Sequence, residues 1–116
     1  MAAPKIFESE YRFCLILWRN EPISGSKLAE LCRQELGWSR TTTYTVIKRL
    51  RDRGVVRSEN SIITTLVSKE EVQTAEMDEL MEKTFEGSLP AFIAAFARRQ
   101  SLSDAELEEL RRIIEK

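Results

Sequence analysis

The sequence predicts a mainly α-helical chain carrying one small β-hairpin, on three observations. Apolar residues recur at helical spacing both before and after the middle of the chain. Between these regions, two β-rich runs, Val55-Val56-Arg57 and Ile62 to Val67, flank the polar stretch Ser58-Glu59-Asn60-Ser61. Serines stand where helices would begin, and glycines where they would end.

In chain order, Ser9 to Trp18 places Tyr11, Cys14, Leu15 and Trp18 on one helical stripe, and Glu21-Pro22-Ile23 interrupts it. Ser24 or Ser26 then caps a second helix, which turns Leu28, Leu31 and Cys32 inward and ends at Gly37. A third helix is predicted over 39–53, roughly four turns, with Ser39 as N-cap and Gly54 ending it. At about 100° per residue, Thr43, Val46, Ile47 and Leu50 fall on the packing side and Thr41, Tyr44, Thr45, Lys48 and Arg51 on the outer side. Three helices followed by a hairpin make a winged helix, expected over residues 1–68.

Residues 69–116 read as three more helices. Ser68 with Glu71 forms a capping box opening a helix to about Phe85, with Val72, Leu80, Met81 and Phe85 as its apolar members and Gly87 as its stop. The charged run from Glu76 to Glu86 reads as solvated surface. Ser88 caps a helix from Leu89 to about Arg99, and Ser103 with Glu106 opens the last, striped by Leu107, Leu110, Ile113 and Ile114. So short a module has too little of its own interior to bury Leu89, Phe92, Ile93 and Phe96. A second copy is expected to cover them, with Phe85, Leu102 and the last-helix stripe completing a dimer interface.

Charge divides the chain at the same place. Residues 1–69 hold 12 Lys/Arg against 7 Asp/Glu, net +5, and residues 70–116 hold 6 against 12, net −6. Arg40, Lys48, Arg49, Arg51, Arg53 and Arg57 gather on the third helix and the first hairpin strand, where phosphates would be met. Thr41-Thr42-Thr43 disfavours a helix, since β-branched side chains lose rotamer freedom, so local stability does not explain the run. A surface that hydrogen-bonds base edges and phosphates does. DNA contact is therefore expected from Ser39, Arg40, Thr41, Thr42, Tyr44, Thr45, Lys48, Arg49 and Arg57. The competing reading is a winged-helix module that binds a protein, with Glu59 and Tyr44 in its favour and the cation cluster against it.

Other classes are disfavoured. The 116 residues are 42% hydrophobic and contain no histidine, which removes His-based acid–base or triad chemistry and the common His-containing metal sites. Neither a Gly-rich phosphate loop nor a CxxC pattern occurs, and Cys14 and Cys32 read as small core residues. No enzyme activity, cofactor or metal is expected. Without a signal-peptide profile or an apolar run near the roughly 20 residues of a membrane span, the chain is expected to be cytoplasmic.

Several motifs resemble the penicillinase and methicillin-resistance repressors, the BlaI/MecI/CopY family of winged-helix transcriptional regulators. The family's W-S-x-x-T-x-x-T-x-x-x-R-L followed by K/R-G is met by Trp38, Ser39, Thr42, Thr45, Arg49, Leu50, Arg53 and Gly54. A Glu followed eight residues later by a Trp recurs as Glu10 and Trp18, and a Pro-containing turn follows at Pro22. The C-terminal G-S-L and L-S-x-x-E-[IL]-E-E-L motifs are met by Gly87-Ser88-Leu89 and by Leu102-Ser103, Glu106, Leu107, Glu108-Glu109 and Leu110.

The resemblance implies a homodimeric repressor on a dyad operator with TACA/TGTA-type half-sites, and residues facing the groove at Thr41, Thr42, Tyr44 and Thr45. Thr41 and Tyr44 depart from it, standing where many members have Lys or Arg. In β-lactam-responsive members a sensor protease relieves repression by cleaving an Asn-Phe bond. The matching pair here is Ala95-Phe96, so the cleavage position is present without its Asn. The copper-responsive branch's C-terminal cysteine cluster has no counterpart after Cys32.

Overall fold

The computed structural model describes residues 4–99 and 101–115; the outer ends of the predicted ranges 1–68 and 69–116 lie outside these. Six helices and three short strands follow one another as α1 (Glu8–Asn20), β1 (Ile23–Ser24), α2 (Gly25–Leu36), α3 (Arg40–Asp52), β2 (Val56–Glu59), β3 (Ile62–Thr65), α4 (Lys69–Phe85), α5 (Leu89–Arg99) and α6 (Asp104–Ile114). They form two compact units, Met1–Glu76 and Met77–Lys116, divided within α4. The first is a winged helix.

Its helices begin and end for local reasons. Ser24, rather than Ser26, caps α2 by accepting from the Lys27 N–H at 3.1 Å, and Gly37 closes the helix at φ 70°. Ser39 caps α3 through the Thr42 N–H at 3.1 Å. At α1 the sequence offers no obvious side-chain cap. There the Glu10 carboxylate reaches back to accept the Phe7 N–H at 3.0 Å, so the helix starts at Glu8.

The core lies between these helices and the sheet. Phe13, Leu17, Leu28, Leu50, Val55 and Val56 are its largest fully buried apolar members, and Trp38 stacks on Phe13 with centroids 6.0 Å apart. On α3, Thr43, Val46, Ile47 and Leu50 are buried, the predicted inner row. On α1 the predicted stripe is displaced. Phe13, Cys14, Ile16 and Leu17 are buried together with Glu10, whereas Tyr11, Leu15 and Trp18 are half-buried at its margin. The reason is that α1 packs against both α2 and β3, so a wider face than one stripe is covered. Trp18 uses its position to donate from Nε1 to the Val67 carbonyl at 3.0 Å, tying α1 to the chain leaving the sheet.

The sheet has the order β1-β3-β2, both pairings antiparallel. β1 is additional to the hairpin the sequence predicts, since two residues after Pro22 carry no periodic signal; Ile23 pairs with Ile63 and Ser24 with Ile62. Glu21 prolongs this edge, accepting the Thr65 N–H at 2.7 Å and its hydroxyl at 2.8–2.9 Å. The hairpin loop is shorter than the four residues expected. Ser58 and Glu59 pair with Ile63 and Ile62, leaving Asn60-Ser61 as a two-residue turn at φ 51° and 65°. Two positive φ values match the strand twist of a tight hairpin, and Asn adopts them more readily than most residues.

The caps expected for the last three helices form. Ser88 accepts the Ala91 N–H at 3.1 Å, and Ser103 and Glu106 exchange backbone bonds at 3.1 and 3.0 Å, as Ser68 and Glu71 do at the start of α4. No residue of α5 or α6 is buried. Phe92 meets Phe85 edge-on at 5.4 Å and Phe96 at 6.3 Å, yet Leu89, Ile93, Phe96, Leu107, Leu110, Ile113 and Ile114 remain exposed. Phe85, Phe92, Ala95 and Leu102 are half-buried.

Candidate nucleic-acid interface

The outer side of α3 is one continuous exposed surface. Thr41, Tyr44, Thr45 and Lys48 run along its centre, with Thr42 and Arg49 on one flank and Arg40 and Arg51 on the other. All are exposed because the opposite row fills the core, so the buried side fixes which side chains face out. Ser39 and Thr42 are partly committed to the cap, their hydroxyl oxygens 2.9 Å apart. Tyr44 is 40% exposed, its ring lying under the Arg40 guanidinium at 5.2 Å. A shallow cleft separates α3 from the wing, lined by Tyr44, Ile47, Lys48 and Arg51 on one side and Ser58, Ser61 and Ile63 on the other, with Gly25 at its end.

Electrostatics sharpen the assignment. Among the described residues, Arg40, Lys48, Arg49 and Arg51 make no ion pair, whereas Arg12, Arg19, Arg33, Arg53 and Arg57 all do. Lys5, Lys27, Lys69, Arg98 and Arg99 are also without an ion pair among the described residues, but they are spread over other elements, whereas α3 gathers four such cations on one helix, where DNA phosphates would release their counterions. Two members of the expected cluster are otherwise engaged. Arg57 pairs with Glu59 at 2.8 Å, two residues along the same strand face, so the wing is locally neutral.

Arg53 departs further from expectation. Its guanidinium lies 2.5 Å from the Glu10 carboxylate and stacks on the Phe7 ring at 5.4 Å. The Glu10 side chain is only 8% exposed. Burial by itself raises its pKa, but the Arg53 guanidinium, the Phe7 N–H and the more distant charge of Arg49 outweigh this and hold it below the usual carboxylate range. Arg53 is thus a structural cation. Sequence reasoning missed it because Glu10 and Arg53 are brought together only by folding; the signal available was an acidic residue within an apolar stripe.

Neither cysteine offers chemistry. Burial, helped by the charges of Glu10 and Glu21 against that of Arg53, pushes the Cys14 thiol up to about 12, and Cys32 is raised chiefly by burial, with the Thr43 hydroxyl drawing it back. The described residues contain no cluster of His, Cys, Asp and Glu able to hold a metal ion. No helix among them is long and apolar enough to cross a membrane.

A winged helix that turns hydroxyl, aromatic and unpaired cationic side chains outward on its third helix is built as a DNA-binding regulator. The sequence matches the profile of the penicillinase repressor family over residues 6–116, and the chain belongs to that family, which consists of transcriptional repressors rather than enzymes. It is 27% identical over 116 residues to the methicillin resistance regulatory protein MecI of Staphylococcus aureus strain Mu50, an alignment spanning 97% of this chain and 94% of that protein. The protein of the same name from Mammaliicoccus sciuri is 26% identical over the same shares of the two chains. The penicillinase repressor of Bacillus licheniformis is 20% identical over 97% of this chain and 91% of its own length.

Proposed function

We propose that two copies of this chain bind a dyad operator, each inserting the 39–53 helix into a major groove, and repress transcription by occupying the site. The observation that carries this reading is the unneutralised set Arg40, Lys48, Arg49 and Arg51 around the exposed Thr41, Tyr44, Thr45 and Lys48 row. Winged helix 1–68 holds the DNA, and residues 69–116 join the copies. Supporting the second part, no residue of α5 or α6 is fully buried within one chain, and Leu89, Ile93, Phe96, Leu107, Leu110 and Ile113 are exposed. So much apolar surface on a small unit calls for a partner, and an identical chain gives a self-complementary interface.

A two-fold dimer spaces its reading helices about 34 Å apart, one helical turn of DNA. Half-sites of the TACA/TGTA type are expected from the family resemblance, with changes at the bases met by Thr41 and Tyr44, since Tyr lacks the bidentate guanine contact of Arg. Release by a sensor protease at Ala95-Phe96 would need a protease that accepts Ala in place of Asn. In-vitro selection from a random duplex library at moderate salt tests the proposal. Enrichment of a dyad, with affinity falling steeply as salt rises, is the expected result. No enrichment by folded protein would overturn it in favour of a protein-binding winged helix.

A further inference from the structure

Gly25 opens α2 and is buried. It is not one of the positive-φ glycines Gly37, Gly54 and Gly87, so its requirement is space rather than backbone freedom. A Cβ at this position would lie 3.2 Å from both Cε1 and Oη of Tyr44. The tyrosine ring of α3 is therefore seated against the first turn of α2. Above it, the Arg40 guanidinium lies 5.2 Å from the ring centroid, with Nη2 donating to Oη at 3.4 Å.

Arg40 needs such a support. It occupies the first residue of α3, where the positive end of the helix dipole opposes a cation, so helix stability does not account for it. No carboxylate among the described residues pairs with it. Arg51 on the same flank and Tyr44 beside it in the central row border the cleft between α3 and the wing, where a DNA strand would pass in the proposed complex.

We propose that Tyr44 is a positioning residue for Arg40. Seated on Gly25, its ring holds the guanidinium in one orientation, and the stacked pair, rather than either side chain alone, sets the affinity and base preference at the wing-side edge of the reading helix. This rests on the DNA-binding reading above. It also gives a reason for tyrosine at a place where a cation would repel Arg40: the ring trades a direct charge for an ordered one.

The test is a double-mutant cycle with the full chain, read by fluorescence anisotropy on the best selected duplex and on a scrambled duplex at one salt concentration. Tyr44→Ala and Arg40→Ala are each expected to weaken binding about threefold to tenfold, the range for loss of one ordered, rotamer-rich side chain. Tyr44→Ala costs clearly less in the Arg40→Ala background than in the wild-type chain, the difference being the positioning contribution. Tyr44→Phe, which keeps the ring and loses only the 3.4 Å bond, recovers most of the loss. Gly25→Ala, whose Cβ would sit 3.2 Å from the ring and displace it by a few tenths of an ångström, weakens binding in the same direction as Tyr44→Ala but by less, and that effect too shrinks without Arg40. Additive losses, or Tyr44→Phe as weak as Tyr44→Ala, overturn the positioning role. Failure of the wild-type protein to bind any duplex in a salt-dependent way overturns the DNA-binding reading itself. Tyr44 and Arg40 are exposed, so their variants keep the fold and the cycle stands even where Gly25→Ala does not fold.

Discussion

Arg53→Ala should destabilise the winged helix far more than loss of an exposed arginine would, and the loss should depend on pH. The Glu10 carboxylate it leaves behind is 8% exposed, and its other close partner is the Phe7 N–H at 3.0 Å. Deleting one member of a buried ion pair costs about 3–5 kcal/mol, because the remaining charge stays desolvated. Arg53 itself is 31% exposed, so water screens part of the interaction, and a cost of about 2–3 kcal/mol is expected. For a unit of this size, that is a fall in Tm of roughly 10–20 °C.

The folded-state pKa of Glu10 is held below its unfolded value, so the pair's contribution is present above the ordinary carboxylate pKa of 4.5 and is lost as pH falls through the lower folded value. In Arg53→Ala the carboxyl keeps its burial and loses its strongest lowering partner, so its pKa moves up from the wild-type value and acid neutralises the misfit more readily. The gap between wild type and variant is therefore widest near pH 7 and narrows below about pH 4.5. Urea unfolding followed by tryptophan fluorescence reports the right unit, since Trp18 and Trp38 both lie in it. Glu10→Gln/Arg53→Met should recover much of the loss. A neutral-pH loss under about 0.5 kcal/mol, typical of a surface substitution, or an equal loss at pH 4 and pH 7, would refute the assignment of Arg53 as a structural cation.

Other expectations follow from the same geometry. Thr43 Oγ1 is fully buried with only the Cys32 thiol, a weak partner, beside it, so Thr43→Val should stabilise by about 0.5–1 kcal/mol in the same denaturation assay; destabilisation would mean that the thiol contact outweighs the cost of burying the hydroxyl. Cys14 and Cys32 should resist a thiol reagent at pH 8 until the unit unfolds, Cys14 being pushed up to about 12; prompt labelling of native protein would contradict their burial. Phe96→Ala and Leu110→Ala should weaken self-association measured by sedimentation and, through it, operator affinity; full dimers of both variants would move the interface elsewhere. Thr45→Ala should flatten base preference, whereas Arg49→Ala should lower affinity for all duplexes alike and reduce the salt slope by about one; equal losses on selected and random DNA for both variants would undo that division.

The parts of this protein that were legible in its sequence are those governed by neighbours along the chain. Ser39, Ser68, Ser88 and Ser103 cap where their spacing said they would, because a hydroxyl reaches only the N–H groups of the next turn. The inner row Thr43, Val46, Ile47 and Leu50 is buried as the helical period required, and that settles by subtraction which α3 residues face out. Net charge by halves and the absence of histidine likewise need no coordinates.

Tertiary structure alone decided what depends on residues distant in sequence. It joined Glu10 to Arg53, removing one cation from the candidate interface, and set Trp18 on the Val67 carbonyl. It paired Ile23 with Ile63, creating a strand too short to show a period, and shrank the hairpin loop to Asn60-Ser61 by extending the ladder through Glu59. It also laid Tyr44 against Gly25 and beneath Arg40, giving three residues that look independent along the chain one shared geometry. Local propensity and periodicity act over a few residues and survive in the sequence, whereas ion-pair choice, strand register and close approach are fixed by three-dimensional packing, which the order of residues does not spell out.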